Sequence, residues 1–88
     1  MGLETVEIVL WAEEEFKIDI PDSEARNIMT IGEFVSYLRT KTIAIHGTEA
    51  QTETAIFEKL ANLLEHRYGV ARERIRPEVT FYKDLGLG

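Results

Sequence analysis

Few side chains in this sequence are of a type that does chemistry, and their spacing limits what they do. There is no cysteine, which excludes disulfides, zinc–thiolate centres and a thiol nucleophile. The serines are Ser23 and Ser36, and the histidines are His46 and His66. No serine nucleophile can be assigned beside either histidine, so a hydrolytic triad is not supported. His66 falls in the last turn of an expected helix, where the dipole favours a cation, and His46 reads as a solvated connector residue. Asp19, Asp22 and Glu24 offer oxygen ligands but lack EF-hand spacing, so no metal site is expected. Arg72, Arg74 and Arg76 alternate along what reads as a loop. An anion site is one reading of them; solvated charges paired with nearby acids is the simpler one. No catalytic residue emerges. At 88 residues the chain suffices for one modest core but not for a substrate cleft with its own lid.

The charge is unevenly placed. The formal net charge is −6, yet residues 1–24 hold eight acidic groups against Lys17 alone, while the remainder is close to balanced. Such a field repels nucleic acid and anionic membranes and steers basic protein surfaces toward the first segment. Its alternative meaning is a solvated helix face kept acidic for solubility. The longest apolar stretch, Ile8 to Ala12, is far too short to cross a bilayer, and no basic segment precedes an apolar run at the start. A soluble, cytoplasmic protein is expected.

The elements that must position these groups are helical. LETVEIVLWAEEEFK, residues 3–17, has no glycine or proline, and Thr5, Val9, Ala12 and Phe16 recur at helical spacing. A second face carries Leu3, Glu7, Leu10 and Glu14, apolar and acidic by turns. Pro21 disfavours helix in the residue before it, so 18–22 reads as an extended loop before a short helix over 22–28. Thr30 and Glu33 have capping-box spacing, opening a helix that runs to about Arg39 with Ile31, Phe34, Val35 and Leu38 inward. Residues 41–52 show no helical stripe and read as a connector. A further helix over 53–67 turns Ile56, Leu60, Leu63 and Leu64 inward and ends at Gly69. From Val70 onward, Val70, Ile75, Val79, Phe81 and Leu85 suggest a long loop pinned to the core. The fold class is all-α, three main helices and a short one.

Two blocks carry a resemblance. LETVEIVLWAEEEFKIDIPDSEARNIMTIGEFVSYL resembles the second half of an acyl carrier protein: recognition helix, I-x-I-P-D loop, short helix and T-[IV]-G-x-x-V-x-Y-[IL] last helix. IFEKLANLLEHRYGVARERIRPEVTFYKDLGLG resembles the first half of the same family, ending in F-x-x-D-L-G, and it comes second here. The resemblance implies one four-helix carrier domain over residues 1–88 in circularly permuted order: 1–40 the family's C-terminal half, 41–52 a connector, 53–88 its N-terminal half. About ten extended residues reach about 30 Å, enough to link the last helix to the first. An extended connector would instead let two chains exchange halves, so a monomer and a domain-swapped dimer both remain open.

In the family the F-x-x-D-L-G loop leads into Asp-Ser-Leu, whose serine carries 4′-phosphopantetheine. Joining the ends of this chain puts Gly88 in the aspartate's place and Gly2 in the serine's, with Met1 an added start. A phosphodiester needs a hydroxyl, so the cofactor implied by the resemblance is expected to be absent, and neither Ser23 nor Ser36 has the Asp-Ser-Leu context. Leu3, Glu7, Leu10, Glu13 and Glu14 correspond to the surface that acyl-transfer and synthase enzymes meet with basic and apolar groups. The parent role is carriage of acyl thioesters in fatty-acid or polyketide-type synthesis. The alternatives are a cofactor-free interaction module or an engineered permutant, the latter suggested by the glycines flanking the join.

Overall fold

The computed structural model describes residues 3–47 and 51–88. Its elements are helices α1 (Leu3–Phe16), α2 (Asp22–Ala25), α3 (Ile31–His46) and α4 (Glu53–Tyr68), followed by a 3₁₀ turn at Arg72–Arg74. Among the described residues there is no strand; one isolated antiparallel bridge joins Thr30 to Thr80. The all-α expectation holds, and no helix among these residues is long and apolar enough to cross a membrane.

The helix ends follow from local chemistry. Thr30 and Glu33 form the expected reciprocal box at the start of α3: the Thr30 hydroxyl accepts from Glu33 N–H at 3.1 Å, and Glu33 Oε1 accepts from Thr30 N–H at 2.9 Å. Thr52 caps α4 by accepting from Ala55 N–H at 3.1 Å, and Gly69 closes it in the left-handed region at φ 66°. Lys17 ends α1 at φ 56°, a conformation rare for a side-chain-bearing residue.

Three boundaries differ from the sequence reading. Helix α3 does not stop near Arg39 but continues through His46, so residues 41–46 are helical and not connector. Thr42 is buried there, its hydroxyl donating to the Leu38 carbonyl within the helix, and the first breaker is Gly47 at φ 91°. Burial of Thr42 against the core outweighs the modest helix propensity of the β-branched residues in this stretch. Helix α2 ends at Ala25 and not near 28, because Asn27 and Ile28 N–H already bond the carbonyls of Glu24 and Ala25 as three-residue turns. Helix α4 extends one residue further, to Tyr68.

The core is built from Ile8, Ala12 and Phe16 of α1, Ile31, Phe34, Val35 and Leu38 of α3, and Ile56, Leu60, Ala61 and Leu64 of α4. The inward face of α1 is thus centred on Ile8, with Thr5 and Val9 half-buried at its margin. The segment after α4 seals the remaining side: Val70, Ile75, Val79, Phe81 and Leu87 are buried. Leu85, expected inward, is half-buried, and Leu87 takes the deeper place. The Phe81 ring meets Phe34 edge-to-face at 5.9 Å. The loop is also held by its backbone: Ile31 N–H donates to Val79 O at 3.0 Å, Gly32 N–H to Pro77 O at 2.8 Å and Phe81 N–H to Met29 O at 3.2 Å. A long connection in a small domain stays ordered because its backbone groups are satisfied on the start of α3.

Candidate functional site

The long loop ends at the start of α1. Thr5 N–H donates to the Gly88 carbonyl at 3.0 Å, and Gly88 N–H donates to Glu4 Oε1 at 3.0 Å. One backbone N–H of the first turn of α1 that lacks a helical partner, Thr5, and one side chain of that turn, Glu4, are therefore both engaged by Gly88. Within the loop, Asp84 Oδ2 accepts from Thr80 N–H at 2.7 Å, and Thr80 Oγ1 accepts from Asp84 N–H at 3.1 Å. This reciprocal pair turns the chain through Phe81–Asp84 and aims Leu87 inward. The Thr80 N–H holds the Asp84 carboxyl below its usual range. Gly2, the position expected to replace the attachment serine, lies outside the described residues.

Beside this join is an apolar cavity of about 490 Å³, lined by Ile8, Val9, Phe34, Phe81, Leu87 and Gly88 among others. Arg26 and Lys83 are the charged side chains in its lining. Neither serine belongs to it: Ser36 lines a separate groove between α3 and α4, and Ser23 lines neither. The hydroxyls in the cavity wall belong to Thr5, Thr80 and Tyr82, and none to a serine.

The expected partner face of α1 is arranged as its spacing implies. Leu3 is 75% and Leu10 55% exposed, with Glu7 and Glu14 exposed alongside them. Val6 joins this face, at 37%, and was not singled out by the sequence reading. Glu7 Oε1 accepts from the Tyr68 hydroxyl at 3.0 Å, tying α1 to the end of α4. Burial first and this bond second push the Tyr68 phenol up. Glu13 stands apart from the others: it is half-buried, and its Oε2 accepts from Ile20 N–H at 2.8 Å, which fastens the 18–21 loop. Trp11 is half-buried and meets Phe16 edge-to-face at 5.8 Å.

The remaining candidates are engaged structurally. His46 is exposed as expected but ends α3 and does not lie in a connector; its Nε2 is 2.9 Å from the Lys17 carbonyl, closing the turn after α1. Glu24 pairs with Lys41 at 3.4 Å and accepts from the Tyr37 hydroxyl, which holds its carboxyl below the usual range. That commitment removes it from any cation site with Asp19 and Asp22, and no cluster of metal-ligating groups occurs among the described residues. Arg72 pairs with Glu58 and Arg76 with Glu78, while Arg74 donates to the Asp84 carbonyl. The alternating arginines thus serve the loop and form no common anion site.

No protein-family profile and no solved structure matches the chain. Among curated proteins, the acyl carrier protein of Picosynechococcus sp. (strain PCC 7002) is 55% identical over 41 residues, 47% of this chain and 51% of that protein. The acyl carrier protein of Wolinella succinogenes is 50% identical over 39 residues, 44% of this chain and 51% of its own length. The chain thus spans about half the length of the curated relatives it matches, and that half is similar to acyl carrier proteins.

Proposed function

We propose that this chain is a carrier-protein-type domain of fatty-acid or polyketide-type synthesis with its halves in exchanged order, 53–88 preceding 1–40 in the family's sense. It performs no chemistry of its own. The observation that carries this reading is the seat of Gly88 on the first turn of α1, through Thr5 and Glu4. A loop that ends in F-x-x-D-L-G is held where the recognition helix starts, as it would be if the two were joined in the other order. The similarity to acyl carrier proteins supports the same reading from sequence.

With Gly2 at the attachment position, the chain carries no 4′-phosphopantetheine and retains what does not depend on it: the apolar cavity beside Gly88 and the acidic, apolar face of α1. It therefore works as an interaction module toward the basic surfaces of acyl-transfer and synthase enzymes, through Leu3, Glu7, Leu10 and Glu14, with Glu13 bracing the loop beneath them. The compartment is the cytoplasm.

The test is incubation with coenzyme A and a broad-specificity phosphopantetheinyl transferase, read by intact mass, on the chain and on its Gly2→Ser variant. The chain is expected to keep its mass and the variant to gain one phosphopantetheinyl group. A gain by the unsubstituted chain overturns the assignment of Gly2; failure of the folded variant to gain one overturns the exchanged-order reading.

A further inference from the structure

A second surface lies away from the α1 face. Helices α3 and α4 and the Pro77–Glu78 bend enclose an open groove of about 1150 Å³. Its floor is apolar, with Ile28, Val35, Phe57 and Pro77. Val35 is buried and Ile28 and Phe57 are half-buried, each packed against the core on its other side. Every charged side chain in its lining is a carboxylate: Glu24, Glu33, Glu53 and Glu78. No lysine or arginine contributes to the wall.

These carboxylates differ in what they have left to offer. Glu24 is paired with Lys41 and Glu78 with Arg76 at 3.3 Å. Glu33 spends Oε1 on the N–H groups of Met29 and Thr30, which hold it below the usual carboxylate range and so keep it ionised. Glu53, in the first turn of α4, has no hydrogen bond or ion pair among the described residues. The helix N-termini on the groove offer little to an anion, because Ile31, Gly32, Glu33 and Ala55 N–H are bonded to Val79, Pro77, Thr30 and Thr52. An apolar floor under a negative rim fits an apolar ligand with positive edges. Along α3 the lining runs from Gly32 to Thr40, about 12 Å at the helical rise, the length of two turns of a docked helix.

We propose that this groove docks a short basic amphipathic helix of a partner protein, its leucine-type side chains on Val35, Phe57 and Pro77 and its lysines against Glu33 and Glu53. The site is independent of the α1 face and of any attached group.

The probe is a fluorescein-labelled Leu/Lys amphipathic peptide of 18 residues, with a Leu/Glu peptide of the same pattern as control, titrated by fluorescence anisotropy. The Lys peptide is expected to bind, and Glu33→Gln/Glu53→Gln to weaken it about fivefold, while the charge-matched Glu65→Gln/Glu73→Gln pair leaves it within about twofold. In the unsubstituted chain, amide resonances of Ser36, Tyr37, Thr40 and Phe57 should move on titration, a readout that does not depend on either variant folding. Equal binding of the Leu/Glu peptide, shifts confined to Leu3–Leu10, equal weakening by both Gln pairs, or shifts that track self-association without peptide would each overturn the proposal.

Discussion

The amide of Gly88 lies 3.0 Å from Oε1 of Glu4, 84 positions away in sequence, and it donates to that carboxylate. With Thr5 N–H on the Gly88 carbonyl, this is a two-bond clasp across the place where the loop and α1 meet. An N-terminal carboxylate also suits the positive end of the α1 dipole.

Glu4→Ala should therefore loosen the loop end before it unfolds the domain. The expected cost is on the order of 1 kcal/mol, that of one lost hydrogen bond to a charged acceptor. Amide hydrogen exchange at Gly88 and Thr5 should accelerate while that of Leu38, Leu60 and Leu64 follows the global change. Unchanged protection at Gly88 would show that the clasp contributes nothing in solution.

Gly32 stands under the Pro77 bend, where an added Cβ would meet the Pro77 carbonyl oxygen at 3.0 Å and its Cβ at 3.1 Å. Alanine in a helix normally gains about 1 kcal/mol over glycine. Here that gain is set against displacement of a backbone segment that also accepts the Gly32 N–H at 2.8 Å. We expect Gly32→Ala to destabilise by about 1–2 kcal/mol net, measured by urea denaturation. A stabilised variant would show that the bend yields freely.

The sign of the acid response follows from Glu33 and Asp84. Their carboxyls are held below their ordinary values of 4.5 and 3.8 chiefly by the N–H groups of Thr30 and Thr80. The unfolded chain thus binds protons that the folded chain refuses, so this stabilisation is complete above the ordinary values and is lost as pH falls through the lower folded ones. The thermal midpoint should fall from about pH 6 toward about pH 3, and Glu33→Ala, less stable at the higher pH, should converge on the parent at the lower. A difference that stays constant with pH would remove the carboxylate from the account.

The Thr30–Glu33 box and the Gly69 closure were legible because each is written within four residues. The tail's burial was legible from its spaced apolar residues, although Leu87 and not Leu85 goes deepest. The end of α3 was not, because what prolongs it is tertiary: Thr42 buried against the core and His46 reaching Lys17 O, 29 positions back. Ile8 was displaced from the expected stripe by Thr5 and Val9 because neighbouring helical faces differ by less than half a turn, and packing decides which is central. Glu13 sits among three consecutive glutamates with nothing in its spacing to mark it as the one that holds Ile20 N–H. The exposed Leu3–Glu7–Leu10–Glu14 face was legible since its apolar members have no place in the inward stripe.

That face supplies the remaining prediction. On the proposed function, in the Gly2→Ser background the transferase approaches α1, and its on-rate depends on the acidic field that Glu7 and Glu14 help to make. Glu14→Lys, on an exposed position with no ion pair among the described residues, should slow modification about tenfold at low ionic strength, with the gap closing as salt is added. Leu10→Ser should slow it with little salt dependence, because its contribution is apolar contact. Glu65→Lys, also on the molecule but outside that face, controls for net charge alone. If Glu65→Lys and Glu14→Lys slow the reaction equally, total charge rather than the α1 face sets the encounter, and the partner surface must be sought elsewhere.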